Sequence, residues 1–213
     1  MSTHSARGDK RARILESALR VFASKGFFGA KVSDIATDAG VADGTIYLYF
    51  KSKDDLLISV FENQMIKVNQ TLAEAIGKAA TPRAKLGAFV RVYFELCEAH
   101  PHATEVITLE LRQSEKFMKE YANPRFGEFL KILAAVVDEG QKAGAFRSEL
   151  PAPVVARAIF GLLDELSLMW VAGRGDKIDV KRLPGLIEDM LLGGLAQSGE
   201  ARSALPNEGP KAP

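Results

Sequence analysis

Reactive side chains are scarce in this sequence of 213 residues. Its one cysteine, Cys97, excludes an intramolecular disulfide and fits a reducing compartment; without an evident activating partner, its thiol is expected to be inert. The three histidines, His4, His100 and His102, form no HExxH pair, and the chain has no Gly-rich phosphate loop and no serine or cysteine beside a plausible base. We therefore predict that the chain is not an enzyme and has no catalytic residue, metal or cofactor.

Long uninterrupted apolar segments are also lacking. The most apolar long stretch, residues 154–172, contains Arg157, Asp164 and Glu165, which disfavours a membrane span. The first 13 residues are polar and basic, so no signal peptide is expected. Together with the single cysteine, these features predict a cytoplasmic protein without a membrane partner.

Strand-like alternation and internal repeats are absent, and nearly every segment repeats its apolar residues with helical periodicity. Helix limits are predicted from capping residues, prolines and glycines, among them Asp9 and Ser52 as N-caps, Thr81-Pro82 and Asn123-Pro124 as starts, and Gly26 and Gly40 as stops. The predicted helices cover residues 9–25, 33–39, 44–50, 52–79, 81–99, 102–113, 123–144, 151–173 and 181–195.

The predicted fold class is all-α, with about nine helices. Residues 1–53 form a three-helix N-terminal domain with a helix-turn-helix motif at about 31–50. Residues 54–197 form a larger helical body, and the tail at 198–213, rich in Pro, Gly, Ser and Ala, is predicted to be disordered.

Charge is uneven along the chain, although the net charge is only +1. Residues 1–53 contain nine Lys/Arg and five Asp/Glu, a balance of +4, and the remainder carries −3. A basic N-terminal domain is consistent with binding to nucleic-acid phosphates. A solvated basic face explains the same balance equally well.

The segment KVSDIATDAGVADGTIYLYFKSK, residues 31–53, has the features of a DNA-reading unit. Two short helices are joined by a turn at Gly40, and helices this short need tertiary partners, here through Ile35, Val41, Ile46 and Phe50. Tyrosines two positions apart cannot share a helical face, so at least one should point outward, where a phenol can meet a phosphate. The candidate DNA contacts are Gly44 and Thr45 in the first turn of the second helix, Tyr47, Tyr49, Lys53 beside the next helix N-terminus, Lys51 and Lys31.

Residues 10–61 resemble the N-terminal domain of TetR-type repressors. The matching elements are ALRVF at 18–22, GF at 26–27, IA at 35–36, AGV at 39–41 and GTIYLYFKSK at 44–53. By this resemblance, family DNA-contact positions are occupied by Gly44, Thr45, Tyr47, Tyr49 and Lys53.

The chain departs from the TetR-type pattern at two places. Val32 stands where many members have a capping threonine, so Ser33 is expected to substitute for it. Ala42 and Asp43 stand where Ser and Lys are frequent; Asp43 would repel phosphate and is expected to accept a hydrogen bond from a cytosine amino group instead.

A closer resemblance, over roughly residues 10–197, is to the FadR subgroup, TetR-type repressors of fatty-acid degradation that release DNA on binding long-chain acyl-CoA. It includes LELRQS at 109–114, IFGLLDE at 159–165 and WV at 170–171. The body would then bind the effector, with Arg112 as the first candidate for the CoA phosphates. The remaining candidates are Arg91, Arg125, Leu109 and Phe160.

Other interpretations of these residues stay open. Arg112 could instead pair with Glu110, Glu115 or another acid, and an exposed or interface position explains Asp164 and Glu165 as well as a ligand role does. The alternative function is a TetR-type repressor that responds to a drug-like or other hydrophobic small molecule.

The last two predicted helices are expected to form a homodimer. Gly161 permits close helix approach, and an apolar stripe is formed by Leu186, Ile187, Met190 and Leu191. A dimer would bind a quasi-palindromic operator in double-stranded DNA, with its two reading helices about 34–36 Å apart. The long helix after Ser52 is the expected lever between effector and DNA.

Overall fold

The computed structural model describes residues 3–173 and 182–195. Over these ranges the chain forms ten α-helices and one 3-10 helix, without a strand. The helices are α1 (Thr3–Gly29), α2 (Val32–Ala39), α3 (Asp43–Tyr47), α4 (Lys53–Gly77), α5 (Pro82–Ala99), α6 (Pro101–Thr108), the 3-10 helix (Glu110–Gln113), α7 (Glu115–Lys119), α8 (Pro124–Lys142), α9 (Ala152–Val171) and α10 (Leu183–Leu195). The all-α prediction is confirmed.

Capping residues set the starts of three long helices as predicted. The side chains of Ser52, Thr81 and Asn123 each accept a hydrogen bond from the backbone N–H three residues later, over 3.1–3.2 Å. Each bond satisfies a backbone donor that has no partner within its helix. The starts of α4, α5 and α8 are therefore determined locally.

The predicted course of α1 is wrong at both ends. The helix begins at Thr3, so Asp9 is not its N-cap, and it continues to Gly29 across a break at Gly26. Gly26 has φ 71° and ψ 163°, a conformation open essentially only to glycine. Gly26 was predicted to end the helix. Instead, the backbone changes direction at Gly26 and α1 continues for one further turn.

The segment from 102 to 119 also differs from the prediction of one helix over 102–113. The chain breaks at Leu109, continues as the 3-10 helix, and then forms α7, which was not predicted. Buried Leu111 lies five positions after buried Val106, and a continuous α-helix would turn it about 140° away from that side. The break lets Leu111 pack into the core, and the Ser114 hydroxyl caps α7.

The helix-turn-helix unit packs as expected. Gly40 adopts the left-handed conformation, with φ 63° and ψ 40°, between α2 and α3. Ile35, Ile46 and Phe50 are buried in a core shared with α1. Helix α3 is shorter than predicted, because it ends at Tyr47 and the chain then turns into α4.

Helix α4 leads from this unit into the body, where it packs against α5 and α8, while α9 packs on α8 and α10 on α5. Within the two described ranges, no helix is long and apolar enough to cross a membrane. The tail predicted to be disordered, 198–213, lies outside the described residues.

Candidate DNA-binding surface and effector cavity

The ten predicted DNA contacts are all exposed or half-buried, and five of them line one depression. Exposed positions are Lys31, Ser33, Ala42, Asp43, Gly44, Tyr47 and Lys51, whereas Thr45, Tyr49 and Lys53 are half-buried. A shallow depression of about 470 Å³ brings Lys31, Ser33, Asp43, Tyr47 and Lys53 together. Of the two tyrosines, Tyr47 is the one that faces outward, with 58% of its surface exposed.

Lys53 lies at this surface, but its ammonium points inward. The Nζ atom donates to the carbonyl oxygens of Phe27 at 2.7 Å, Ala30 at 3.1 Å and Phe28 at 3.5 Å. It also lies 4.6 Å from the centroid of the Phe27 ring. These three oxygens account for all three protons of an ammonium, so Lys53 caps the C-terminal end of α1. The predicted phosphate contact of Lys53 stays a prediction.

Ion pairs between α1 and α2 neutralise some of the basic side chains of the N-terminal unit. Arg20 lies 2.6 Å from Asp38, and Lys25 lies 2.9 Å from Asp34. The pKa of each carboxyl is lowered, chiefly by the hydrogen bond from its basic partner. Asp34 also accepts from the backbone N–H of Lys31 at 3.0 Å, which satisfies a donor at the start of α2 without Ser33. Some of the N-terminal positive charge therefore orients the two helices.

Two exposed apolar residues of the N-terminal unit, Phe28 and Leu48, were not among the predicted DNA contacts. Phe28 and Leu48 both have 73% of their surface exposed, and Phe28 lines the depression. Helical periodicity predicts that apolar residues are buried, so the sequence pattern did not indicate that these two side chains are exposed. Leu48 follows α3, where an apolar side chain can meet a thymine methyl group.

The body contains an apolar cavity of about 730 Å³. Helix α1, on which the helix-turn-helix unit packs, and helix α4, which leads from that unit into the body, contribute Leu19 and Met65 to its wall. Further apolar lining comes from Leu96, Ile107, Leu111, Phe117, Phe126 and Phe160. Such a size and lining are typical of a small-molecule site.

Aromatic rings form much of the cavity wall. Phe160 packs edge-on against Phe126, at 4.6 Å between centroids, and against Phe129 at 5.6 Å. On the opposite helices, Phe61 of α4 packs edge-on against Phe117 of α7 at 5.2 Å. These pairs provide an apolar surface with a defined shape.

Among the polar side chains of the cavity wall, Arg112 and Asp164 form an ion pair. Arg112 Nη2 donates to Asp164 Oδ2 at 2.5 Å, so Arg112 pairs with an acid, though not with Glu110 or Glu115. Burial raises the pKa of Asp164 above its usual value despite the neighbouring guanidinium. Burial likewise raises the pKa of the Tyr93 hydroxyl and of the Cys97 thiol, which fits the expectation of an unreactive thiol.

Two of the five predicted effector residues lie in the cavity wall. Arg112 and Phe160 line the cavity. The described lining does not include Leu109, Arg91 or Arg125; Arg91 pairs with Glu188 at 2.6 Å, and Arg125 pairs with Glu128 at 3.0 Å. Of these five residues, the proposed effector site therefore contains Arg112 and Phe160.

The face predicted to dimerise is partly open. Leu186 and Met190 have 61% and 52% of their surface exposed, and a Cβ at Gly161 would meet no described atom within 4 Å. Ile187 is buried within the chain, and Leu191 packs against the core. Of the four residues predicted to form the apolar stripe, Leu186 and Met190 are therefore the two that are exposed. No cluster of three or more possible metal ligands occurs among the residues that the structure describes.

Comparison with known proteins identifies the two parts of the chain separately. Residues 14–60 match the family described as bacterial regulatory proteins, tetR family, and residues 61–194 match the YsiA-like protein C-terminal region. The chain is 35% identical to the fatty acid metabolism regulator protein of Bacillus subtilis, over 87% of this chain and 95% of that protein.

Two solved structures share the fold at similar identity. The fatty acid degradation regulator FadR from Bacillus halodurans is 36% identical, with a TM-score of 0.80, over 87% of this chain and 96% of that one. FadR from Bacillus subtilis in complex with stearoyl-CoA is 35% identical, with a TM-score of 0.80, over 86% and 98%. The chain therefore belongs to the tetR family of bacterial regulatory proteins, with a C-terminal region of the YsiA-like kind.

Proposed function

We propose that this protein is a DNA-binding transcriptional repressor of fatty-acid metabolism genes that long-chain acyl-CoA releases from its operator. The observation that carries the proposal is the apolar cavity of about 730 Å³ whose wall includes α1 and α4. The same two helices hold the DNA-binding unit, so a ligand in the cavity touches the supports of that unit. The similarity to regulators of fatty-acid metabolism, one of them bound to stearoyl-CoA, indicates the ligand class.

The DNA-binding form is proposed to be a homodimer that meets through α9 and α10. Exposed Leu186 and Met190, with the open surface at Gly161, support this face as the interface. Two α3 helices would then enter successive major grooves of a quasi-palindromic operator. Light scattering at micromolar concentration tests the assembly, and a monomeric mass would refute it.

In the cavity, the acyl chain supplies most of the binding energy. Burying about ten methylenes contributes up to about 8 kcal/mol before ordering costs, at ~0.8 kcal/mol each. The aromatic wall around Phe160 and Phe126 would contact the chain. Arg112 of the cavity wall pairs with Asp164. We propose that Arg112 releases this carboxylate and binds a polar or anionic part of the effector.

The test is a titration of operator DNA with and without acyl-CoA. Fluorescence anisotropy with C12, C14, C16 and C18 acyl-CoA should show release that strengthens with chain length until the cavity is filled. Free CoA is the control for the headgroup, and it should leave the complex intact. Unchanged operator affinity with all four chains would exclude the proposed effector.

A second candidate effector is a neutral hydrophobic or drug-like molecule. The observation that favours it is the Arg112–Asp164 ion pair, because a cation that is already neutralised by a carboxylate of the protein attracts an anionic headgroup less strongly. Denaturing mass spectrometry of natively purified protein distinguishes the two, since it identifies any co-purified ligand. Co-purified acyl-CoA supports the first candidate, and a different compound supports the second.

A further inference from the structure

A hydrogen bond joins the body to the DNA-binding unit at the break in α1. The carboxylate oxygen Oε2 of Glu110, in the 3-10 helix, accepts from the backbone N–H of Phe27 at 2.5 Å. The two residues are 83 positions apart, and the bond is partly buried. A carboxylate that accepts from a backbone N–H forms a strong, charge-assisted bond.

Gly26 creates the geometry of this bond. Its left-handed φ of 71° breaks α1 so that the next N–H is free to leave the helix. A Cβ at this position would lie 3.4 Å from Glu110 Oε2. Both the backbone conformation and the close approach of the carboxylate therefore favour glycine.

Phe27 links Glu110 to the DNA-binding surface. Its N–H donates to Glu110, and its carbonyl oxygen accepts from Lys53 Nζ at 2.7 Å. Lys53 lines the depression that also contains Lys31 and Tyr47. The backbone of Phe27 is therefore one path by which a displacement of the 3-10 helix can reach the junction of α1 and α4.

The 3-10 helix is also a wall of the effector cavity. Leu111 and Arg112, the residues directly after Glu110, line the cavity, and Arg112 pairs with Asp164 of α9, which also lines it. Ser114, which follows, is fully buried and donates to Asp54 at the start of α4 at 2.6 Å. Residues 110–114 therefore contact the effector cavity on one side and both supports of the DNA-binding unit on the other.

We propose that Glu110 is a positioning residue that transmits effector binding to the DNA-binding unit through the backbone of Phe27. The inference rests on the proposed function, since it assigns the route by which that effector acts. When a ligand displaces Leu111 or Arg112, the Glu110 carboxylate moves with the 3-10 helix. The terminal turn of α1 follows, and with it the α2–α3 unit that packs on α1.

The experiment measures coupling rather than affinity alone. Operator affinity is determined with and without saturating palmitoyl-CoA, and the ratio of the two dissociation constants is the coupling factor, typically about 5- to 150-fold in allosteric proteins. Glu110→Ala should lower this factor at least about fivefold, because it removes a charge-assisted bond. Palmitoyl-CoA should bind the DNA-free variant with a dissociation constant close to that of the wild type.

Two further variants separate transmission from a general structural effect. Glu110→Gln keeps an oxygen that can accept from Phe27 and should restore most of the coupling. Glu115→Ala removes the same charge from α7, where Glu115 pairs with Lys119 of the same helix, and should match the wild type. Circular dichroism verifies that each variant is folded. A wild-type coupling factor in folded Glu110→Ala would overturn the proposal.

Failure of the effector assignment is distinguishable from failure of this route. If none of the C12–C18 acyl-CoA chains releases the wild type, the proposed effector is wrong. The route is then judged on ligand-free operator affinity, where Glu110→Ala should bind at least about fivefold more weakly than Glu115→Ala. Equal affinities of these two variants would refute the role of Glu110.

Discussion

Replacing Lys53 by methionine tests whether its ammonium holds the fold together or contacts DNA. The Nζ atom donates to three carbonyl oxygens at the end of α1 and lies over the Phe27 ring. Methionine keeps a long apolar side chain that can still cover the ring, but it cannot donate to these oxygens. The substitution therefore removes the cap with little loss of packing.

The expected loss of stability is about 2 kcal/mol. Hydrogen bonds from charged groups contribute about 1.5–3 kcal/mol when well shielded, and a cation over an aromatic ring adds about 0.5–1 kcal/mol. Partial exposure of Lys53 favours the lower end of this range. Removing a positive charge from the first turn of α4 returns a few tenths of a kcal/mol. For a chain of this size, the melting temperature should fall by about 4–8 °C.

Urea unfolding and the salt dependence of operator binding measure the two roles separately. Lys51→Met is the matched control, because Lys51 is exposed two positions earlier, and its stability should change by less than about 0.5 kcal/mol. If Lys53 instead met a phosphate, its loss would lower the salt slope by about 0.9 per protomer. A stability loss under about 0.5 kcal/mol in Lys53→Met, accompanied by such a change in slope, would refute the capping role.

Three further substitutions test other parts of the structure. Gly140→Ala should destabilise the protein by about 1–3 kcal/mol in urea unfolding, because the added Cβ would lie 2.0 Å from the buried Phe146 ring. The control is Gly127→Ala in the same helix, where the added Cβ would have no described atom within 4 Å. This variant should be more stable than the wild type by up to about 1 kcal/mol. Asp164→Asn should gain stability relative to the wild type as pH rises from 4 to 7. The raised pKa means that the native state binds its proton more tightly than the unfolded chain, so wild-type stability is lost with rising pH; an equal difference at both pH values would contradict this. Tyr47→Phe should weaken operator binding at least about tenfold in an anisotropy titration, at about 1 kcal/mol for each of two hydroxyl–phosphate contacts per dimer, and unchanged affinity would exclude the contact.

Local chemistry explains why much of the fold could be predicted from sequence. A cap such as Ser52 or Thr81 acts on an N–H three residues away, and the turn at Gly40 depends on a single backbone conformation. The apolar spacing that predicted a core for Ile35 and Ile46 is likewise a property of neighbouring residues. Such signals need no knowledge of distant parts of the chain.

Contacts between distant residues explain what could not be predicted. The direction of the Lys53 ammonium depends on carbonyls that the break at Gly26 exposes some 25 positions earlier. Arg91 and Arg112 look alike in the sequence, and only the approach of α10 and α9 shows that one pairs with Glu188 and the other with Asp164. Candidate effector residues were thus less predictable than candidate DNA contacts, which cluster within one short segment.

Energetics limit how the proposed acyl-CoA effector could shift the protein between a DNA-binding and a released conformation. Shifting a two-state equilibrium from 99:1 to 1:99 requires about 5.5 kcal/mol of differential binding, whereas ten buried methylenes supply up to about 8 kcal/mol in total. An effector that filled the same cavity equally well in both conformations would shift nothing. Most of the acyl-chain burial must therefore be available in only one conformation.

Helix α7 is the least buried helix of the cavity wall. Helix α7 has five residues, none of them buried, whereas α4 and α5 each contain seven or more buried residues. Phe117 of α7 is half-buried against Phe61, so its displacement costs less than moving α4 itself. Because the segment that contains the 3-10 helix and α7 holds Phe27 through Glu110 and α4 through Ser114, opening the cavity there would move the DNA-binding unit first at its junction with the body, with α4 following as the lever.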